Sequence, residues 1–287
     1  MTEFVSAPAL AELLDGEKPP AVLDASLTLH TAAFDGDYRK DSGRPLWLAG
    51  HIAGSQHVDL STQFADADAP YHYAHAEPQA IADELARLGI AQGRAVVVYD
   101  ATGMLFAARL WYLLRWIGVN VKVLDGGLDA WKAAGLPIVV GEEPVPTPVP
   151  TWTAEKARRA WISKQELVEN DDRPLVCSLP AGQFTGSTPT RYSRRGRIPG
   201  SVNVSSRDHF SSEGKIKSRV ELILAYDAAG VDVTDPKEEV LLYCGGGISA
   251  AAGALALAEI GVTAVRVYDG SLEEWSADPA LPLTTGD

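Results

Sequence analysis

The chain has 287 residues, 46% of them hydrophobic, and a formal net charge of −13. That length suits about two domains with packed cores, and the charge argues against nucleic acid and anionic membrane surfaces as partners, since both would repel it. No apolar run reaches the roughly 18 residues that a membrane-spanning helix needs. The two cysteines, Cys177 and Cys244, stand far apart, so there is neither a disulfide framework nor a Cys-x-x-Cys metal site. Scarce cysteine suits a reducing cytoplasm. The opening Met1-Thr2-Glu3-Phe4-Val5 has no basic stretch and no long apolar core, so no secretory signal is expected.

Taken in order, residues 7–14 read as a helix and 21–23 as a strand ending at Asp24. Residues 28–49 form a polar, Gly-containing insertion, and 55–58 a short strand. Over 77–88, Ile81, Leu85 and Leu88 recur at helical spacing, and Gly89 is a natural stop. A strand over 95–99, a loop over 100–103, a helix over 104–117, a strand over 121–124 and a short helix ending at Trp131 follow. Strands alternating with helices predict a parallel sheet with helices on its faces. Alternate prolines over 141–151 predict an extended, stiff linker. Beyond it come a helix over 164–169, a strand over 175–178, a Gly/Pro/Arg-rich loop over 181–197, a strand over 201–204 and a helix near 220–228.

Three blocks recur in the same order. Ala95-Val96-Val97-Val98-Tyr99-Asp100 matches Val240-Leu241-Leu242-Tyr243-Cys244, with Tyr on Tyr. Gly50-His51-Ile52-Ala53-Gly54-Ser55 matches Gly196-Arg197-Ile198-Pro199-Gly200-Ser201. Val123 to Trp131 matches Val267 to Trp275 through Asp-Gly-Gly and Asp-Gly-Ser. Ordered blocks at a nearly constant shift imply a duplicated domain. The division expected is 1–140, the linker 141–151, and 152–287.

The chemistry concentrates after the strand that ends at Tyr243. Cys244 is followed by Gly245, Gly246 and Gly247, then by an Ala-rich apolar segment opening with Ile248 and Ser249. Glycines let the backbone curl so that several N–H groups point at one spot, at the positive end of the following helix. Such a cradle favours a thiolate, the nucleophilic form of cysteine. Cys177 closes the first strand of the same domain and reads as a small buried thiol.

These blocks and the Cys244 loop resemble the tandem rhodanese-domain sulfurtransferases over nearly the whole chain. The resemblance implies an α/β fold of two rhodanese-like domains, each a mostly parallel sheet with helices on both faces. It implies that the second domain is catalytic and that the first, with Asp100 where the cysteine would stand, is not. The loop is more similar to the mercaptopyruvate type, Cys-Gly-Ser-Gly-Val-Thr-Ala, than to the thiosulfate type, which carries cations after the cysteine. Thiosulfate is a dianion that loop cations attract, whereas a neutral loop suits an α-keto-acid thiol whose carboxylate is held elsewhere.

The family holds that carboxylate with arginines. Here Gln183 stands at one such place, Arg191 falls within one position of the other, and Arg194, Arg195 and Arg197 are nearby, a plausible carboxylate or sulfonate clamp. Gly246 replaces a serine of a family proton relay. His51 matches the relay histidine and Asp41 is the candidate acid. The resemblance implies double displacement through a Cys244 persulfide, with no metal or organic cofactor, a small-molecule sulfur donor, and a thiol, cyanide or thioredoxin-like dithiol acceptor. Two other readings stand beside it: a thiosulfate:cyanide sulfurtransferase, and a non-catalytic rhodanese-like binding or sulfur-carrier module. The sequence argues against a Cys-x5-Arg phosphatase, because Ala250 stands where the arginine would be.

Overall fold

The structure, a computed structural model, describes residues 2–156, 158–169, 173–235 and 238–286. The first half runs β1 (Phe4–Val5), α1 (Ala7–Leu14), β2 (Ala21–Asp24), β3 (Leu27–Leu29), β4 (Lys40–Ser42), α2 (Arg44–Ala49), β5 (Gln56–His57), α3 (Pro78–Arg87), β6 (Val96–Tyr99), α4 (Leu105–Trp116), β7 (Val121–Leu124) and α5 (Gly127–Ala133). The second runs β8 (Trp161–Ile162), α6 (Lys164–Val168), β9 (Leu175–Cys177), α7 (Ala181–Phe184), β10 (Val202–Asn203), a 3₁₀ turn (Ser206–His209), α8 (Arg219–Asp227), β11 (Val240–Tyr243), α9 (Ile248–Glu259), β12 (Val265–Tyr268) and α10 (Ser271–Ala277).

The two main sheets are parallel and have the same order. One is β1-β7-β6-β2-β5 and the other, in matching sense, β8-β12-β11-β9-β10. Their central strands, Val96–Tyr99 and Val240–Tyr243, are buried throughout, as a strand covered by helices on both faces must be. In the first half, α1 and α5 pack on one face around Leu10, Leu128 and Trp131, and α3 and α4 pack on the other. The tandem α/β fold thus stands as the sequence implied.

The repeated motifs have a physical meaning. Tyr243 Oη lies 2.7 Å from Ser201 Oγ and accepts from Ile198 N at 3.1 Å. Tyr99 Oη does the same with Ser55 Oγ at 3.0 Å and Ile52 N at 3.4 Å. Each Gly-x-Ile-x-Gly-Ser block therefore satisfies the buried phenol at the end of a central strand. Likewise, Trp131 and Trp275 each donate the indole N–H at 2.8 Å, to Pro137 O and Pro282 O.

Three local readings change. The insertion over 28–49 is a two-stranded antiparallel ribbon, β3 with β4, followed by α2. The loop over 181–197 opens with the short helix α7. The edge strands β1 and β8 are two residues each, too short to show a period in sequence. No helix among the described residues is long and apolar enough to cross a membrane.

The halves meet along α4 and α9. Both are buried almost all round, which identifies core helices rather than amphipathic surface ones. Large side chains on α4, including Trp111, Tyr112 and Trp116, are matched by the small alanines of α9. The 140s and 150s carry no helix or strand among the described residues. They are tied to the first half where Val149 N donates to Ala86 O at 2.9 Å and Thr151 Oγ1 to Asp83 Oδ1 at 2.6 Å.

One buried group makes stability depend on pH. His209 is fully buried, stacks on Tyr226 at 5.4 Å, and has both ring nitrogens buried without a partner among the described residues. Burial, with a smaller push from Lys217, presses its pKa down to about 4. The unfolded chain takes up that proton near pH 6.5, so stability falls as pH drops from there toward 4. The expected loss from this residue between pH 7 and pH 5 is about 2 kcal/mol. Urea unfolding of His209→Phe at both pH values checks it: the variant loses less than the wild type by about that amount, and equal losses contradict it.

Candidate active site

Cys244 follows β11 at its carboxyl end, where α/β sheets place ligands, and is 2% exposed. The turn after it is fixed from outside. Leu272 N donates to Cys244 O at 3.1 Å, and Glu273 N to Gly245 O at 2.9 Å. Arg109 Nη1 donates to Gly247 O at 3.5 Å. Carbonyl and N–H of one trans peptide point in opposite directions. The amides of Gly245, Gly246 and Ile248 therefore face away from those braces. Gly247, at φ +75°, caps α9 in the left-handed region.

Ser271 is the brace behind this turn. Its Oγ accepts from Cys244 N at 3.0 Å and Gly247 N at 3.3 Å, and donates to Tyr268 O at 2.7 Å. It does so at φ +47°, a conformation that favours glycine. Its counterpart in the first half is Gly127, at φ +57°. In sequence Ser271 is one letter in an Asp-Gly-Ser block, and nothing there signals its role.

The first half shows what such a cradle holds. Asp100 takes the place of Cys244, and its backbone accepts from Leu128 N at 3.2 Å as Cys244 does from Leu272. Its Oδ1 accepts from Thr102 N at 2.8 Å and Met104 N at 2.9 Å, and its Oδ2 from Ala107 N at 2.8 Å. Burial raises its pKa, while those amides pull it down. The carboxylate fills its own loop.

Cys177 is apart from this chemistry. It pairs in register with Tyr243, on the strand next to β11, is fully buried, and burial pushes its thiol up to about 12. It thus sits within the sheet, level with Tyr243, and not in the turn that carries Cys244.

Of the arginine group, Arg191 is the one next to Tyr192, whose hydroxyl lies against Gly245. Its Nη2 donates to His30 O, and its Nε is buried with no partner among the described residues. Arg194 is committed to backbone carbonyls: Nε to Ser276 O at 2.8 Å, Nη1 to Leu281 O at 3.1 Å, Nη2 to Asp278 O at 2.7 Å. Arg195 pairs with Asp35 at 2.8 Å, tying the second half to the insertion of the first. Arg197 donates to Gly286 O and lies over the Phe184 ring at 4.5 Å. Gln183 sits half-buried on α7.

The expected relay does not assemble. His51 is buried in the first half, stacked on Trp47, with Nδ1 2.8 Å from Trp47 O and Nε2 3.3 Å from Glu143 Oε1. Asp41 is exposed and pairs with His30 at 2.7 Å. The two do not meet each other or the loop. His51 and Arg197 occupy matching places, bridging Val139 and Thr284 at the base of each half.

A different pair borders the loop. His72 Nδ1 pairs with Glu273 Oε1, and its ring stacks on Tyr38 at 4.0 Å. A Cβ at Gly246 would lie 3.4 Å from Glu273 Oε2 and 3.6 Å from His72 O, ordinary contact distances. A Cβ at Gly247 would lie 2.8 Å from Arg109 Nη1 and 2.9 Å from Asp269 Oδ1. Gly246→Ala should therefore change stability by less than about 1 kcal/mol. Gly247→Ala should cost about 2 kcal/mol or more, from left-handed strain and collision with a buried ion pair. Urea midpoints of the two variants test this, and similar costs contradict it.

The rhodanese-like domain model matches residues 6–134 and again 186–278. The 3-mercaptopyruvate sulfurtransferase of Escherichia coli is 30% identical over 288 residues, 98% of this chain and 98% of that protein. The human 3-mercaptopyruvate sulfurtransferase is 31% identical, over 95% of this chain and 91% of its own. A putative thiosulfate sulfurtransferase of Mycobacterium tuberculosis is 29% identical, over 99% and 97%. The crystal structure of SseA from Escherichia coli, described with the rhodanese fold and mechanism of 3-mercaptopyruvate sulfotransferases, matches with a TM-score of 0.80 at 28% identity, covering 94% of this chain and 99% of that one. Two matched regions, a shared sheet order and full-length relatives lead to one conclusion: the chain belongs to the rhodanese-like domain family.

Proposed function

We propose that this chain is a sulfurtransferase that moves sulfur from 3-mercaptopyruvate, through a persulfide on Cys244, to a thiol or cyanide acceptor. The observation that carries the reading is the cradle. A cysteine follows the central strand at the head of a braced glycine turn, and at the matching place of the first half three loop and helix amides hold the Asp100 carboxyl group. An anionic sulfur suits the first position as the Asp100 carboxylate suits the second. In the proposed division, residues 1–140 form the non-catalytic domain, 141–151 the linker and 152–287 the catalytic domain.

The Cys244 thiolate attacks the donor's sulfur. An S–S bond forms, the donor's C–S bond breaks, and its electron pair passes to the pyruvate fragment as an enolate, which takes a proton at carbon. The thiol hydrogen stays on the outer sulfur. An acceptor thiolate or cyanide then attacks that sulfur, the S–S bond breaks, and Cys244 returns. Among the predicted arginines, Arg191 is the one we assign to the donor's carboxylate, because its Nε is uncommitted. A thioredoxin-like dithiol is the protein acceptor whose chemistry fits, and the reducing cytoplasm is the compartment that keeps Cys244 free.

Thiosulfate is the second donor to consider, since one relative carries that name. The loop from Cys244 to Ala250 holds no cation, which favours the keto acid over a dianion. The test is sulfur transfer to cyanide from both donors, side by side. The expected result is a preference for 3-mercaptopyruvate, ping-pong kinetics, and loss of more than about 10³-fold in Cys244→Ser. Preference for thiosulfate contradicts the donor. Inactivity of folded protein with a free Cys244 thiol contradicts the enzyme and favours a binding or sulfur-carrier module.

A further inference from the structure

Position 245 is glycine for a reason outside its own loop. A Cβ there would stand 1.3 Å from the hydroxyl oxygen of Tyr192 and 2.3 Å from its Cζ. The phenol occupies the space a side chain would fill, with its O–H against the peptide that follows Cys244. Tyr192 is buried. Burial, with Cys244 as the next cause, raises its pKa, so it keeps its proton at neutral pH. Among the described residues the hydroxyl has no protein acceptor.

The neighbours say what it faces. Arg191, one residue earlier, is among the charges that act on Tyr192 and keeps its Nε uncommitted. Glu273 acts on Tyr192 too, and its Oε1 is held by His72. Adjacent residues therefore bring a neutral O–H donor, set against Gly245, and a guanidinium to the neighbourhood of the Cys244 turn, together with the Glu273 carboxylate. An α-keto-acid thiol presents, along three carbons, a sulfur, a keto oxygen and a carboxylate. In this reading the loop amides serve the sulfur. They leave unanswered the oxygen on which charge develops as the C–S bond breaks.

We propose that Tyr192 is a catalytic residue that donates a hydrogen bond to the keto oxygen of an α-keto-acid donor and stabilises the enolate as its sulfur passes to Cys244. This rests on the sulfurtransferase reading of Cys244. The electron pair of the breaking C–S bond moves into the carbon–oxygen system, so negative charge accumulates on the oxygen that Tyr192 faces. The phenol keeps its proton, and the enolate takes one from water at carbon. Discharge of the finished persulfide involves no keto oxygen and has no need of Tyr192.

That difference gives the test. Tyr192→Phe keeps the ring and removes the donor. Steady-state kinetics with 3-mercaptopyruvate and cyanide should show kcat down by about 10² to 10³, the effect of removing one oxyanion donor, with KM changed by less than about threefold. In parallel, Cys244 of each protein is loaded with inorganic polysulfide, and thiocyanate release on adding cyanide is timed. That rate should match the wild type. Unchanged kcat with 3-mercaptopyruvate overturns the assignment. Equal losses in both reactions also overturn it, because they mean that the phenol only props the loop. A wild type that discharges polysulfide sulfur but never turns over 3-mercaptopyruvate sinks the choice of donor, and the role of Tyr192 with it.

Discussion

A single buried ion pair ties the active loop to the other half of the molecule. Arg109 on α4 is 1% exposed and donates to Asp269 Oδ1 at 2.7 Å and to Tyr73 O at 2.6 Å. Its remaining arm reaches Gly247 O, and its guanidinium lies 4.9 Å from the centre of the Trp161 ring. Asp269 Oδ2 accepts from His75 N at 2.8 Å. Burying two charges is costly, and the attraction offsets that cost only when the remaining donors and lone pairs are also satisfied. Here Tyr73 O, Gly247 O and His75 N, from both halves, meet the pair. Removing one partner of such a pair typically costs 3–5 kcal/mol. The loop that presents Cys244 is therefore shaped by α4 and by the 71–75 segment of the first half as much as by its own glycines.

The same contact recurs once more around the molecule. Ile216 N donates to Asp125 Oδ1 at 2.8 Å, as His75 N does to Asp269. Each half lays a turn over the strand ends of the other. The duplication shows as two matching turns after the central strands and two capping turns, with the halves differing at a few side chains. Asp100 filled one cradle with its own carboxylate. In the other, Ser271 stands where the first half has Gly127, and the Tyr192 phenol lies beside the residue that follows the cysteine. The first half kept its fold because that fold is one wall of the second half's site.

Much of this was legible in sequence, for a physical reason. Strands buried on both faces read as apolar runs, tight turns need glycine, and a duplicated chain repeats both in order. Cys244 and its glycines lie within one short stretch, so their geometry is local. What escaped notice converges from distant segments. Tyr192, His72 and Glu273 share no spacing: the fold of the second half brings Tyr192 and Glu273 to one loop, and the packing of the halves adds His72. Arg194, Arg195 and Arg197 looked like a clamp because they are adjacent, yet each is spent on a different structural contact. His51 shows the converse hazard. Its motif is real, but the motif's work is to grip Tyr99 through Ile52 and Ser55, and the histidine stays at the base of its own half.

The central claim is that Cys244, alone of the two cysteines, takes the donor's sulfur. The direct measurement is to mix the protein with one equivalent of 3-mercaptopyruvate and no acceptor, then to weigh it intact and by peptide. The account predicts one added sulfur atom, confined to the peptide bearing Cys244, with one pyruvate released for each. A folded protein that releases no pyruvate and gains no mass, or gains it at Cys177, contradicts the account.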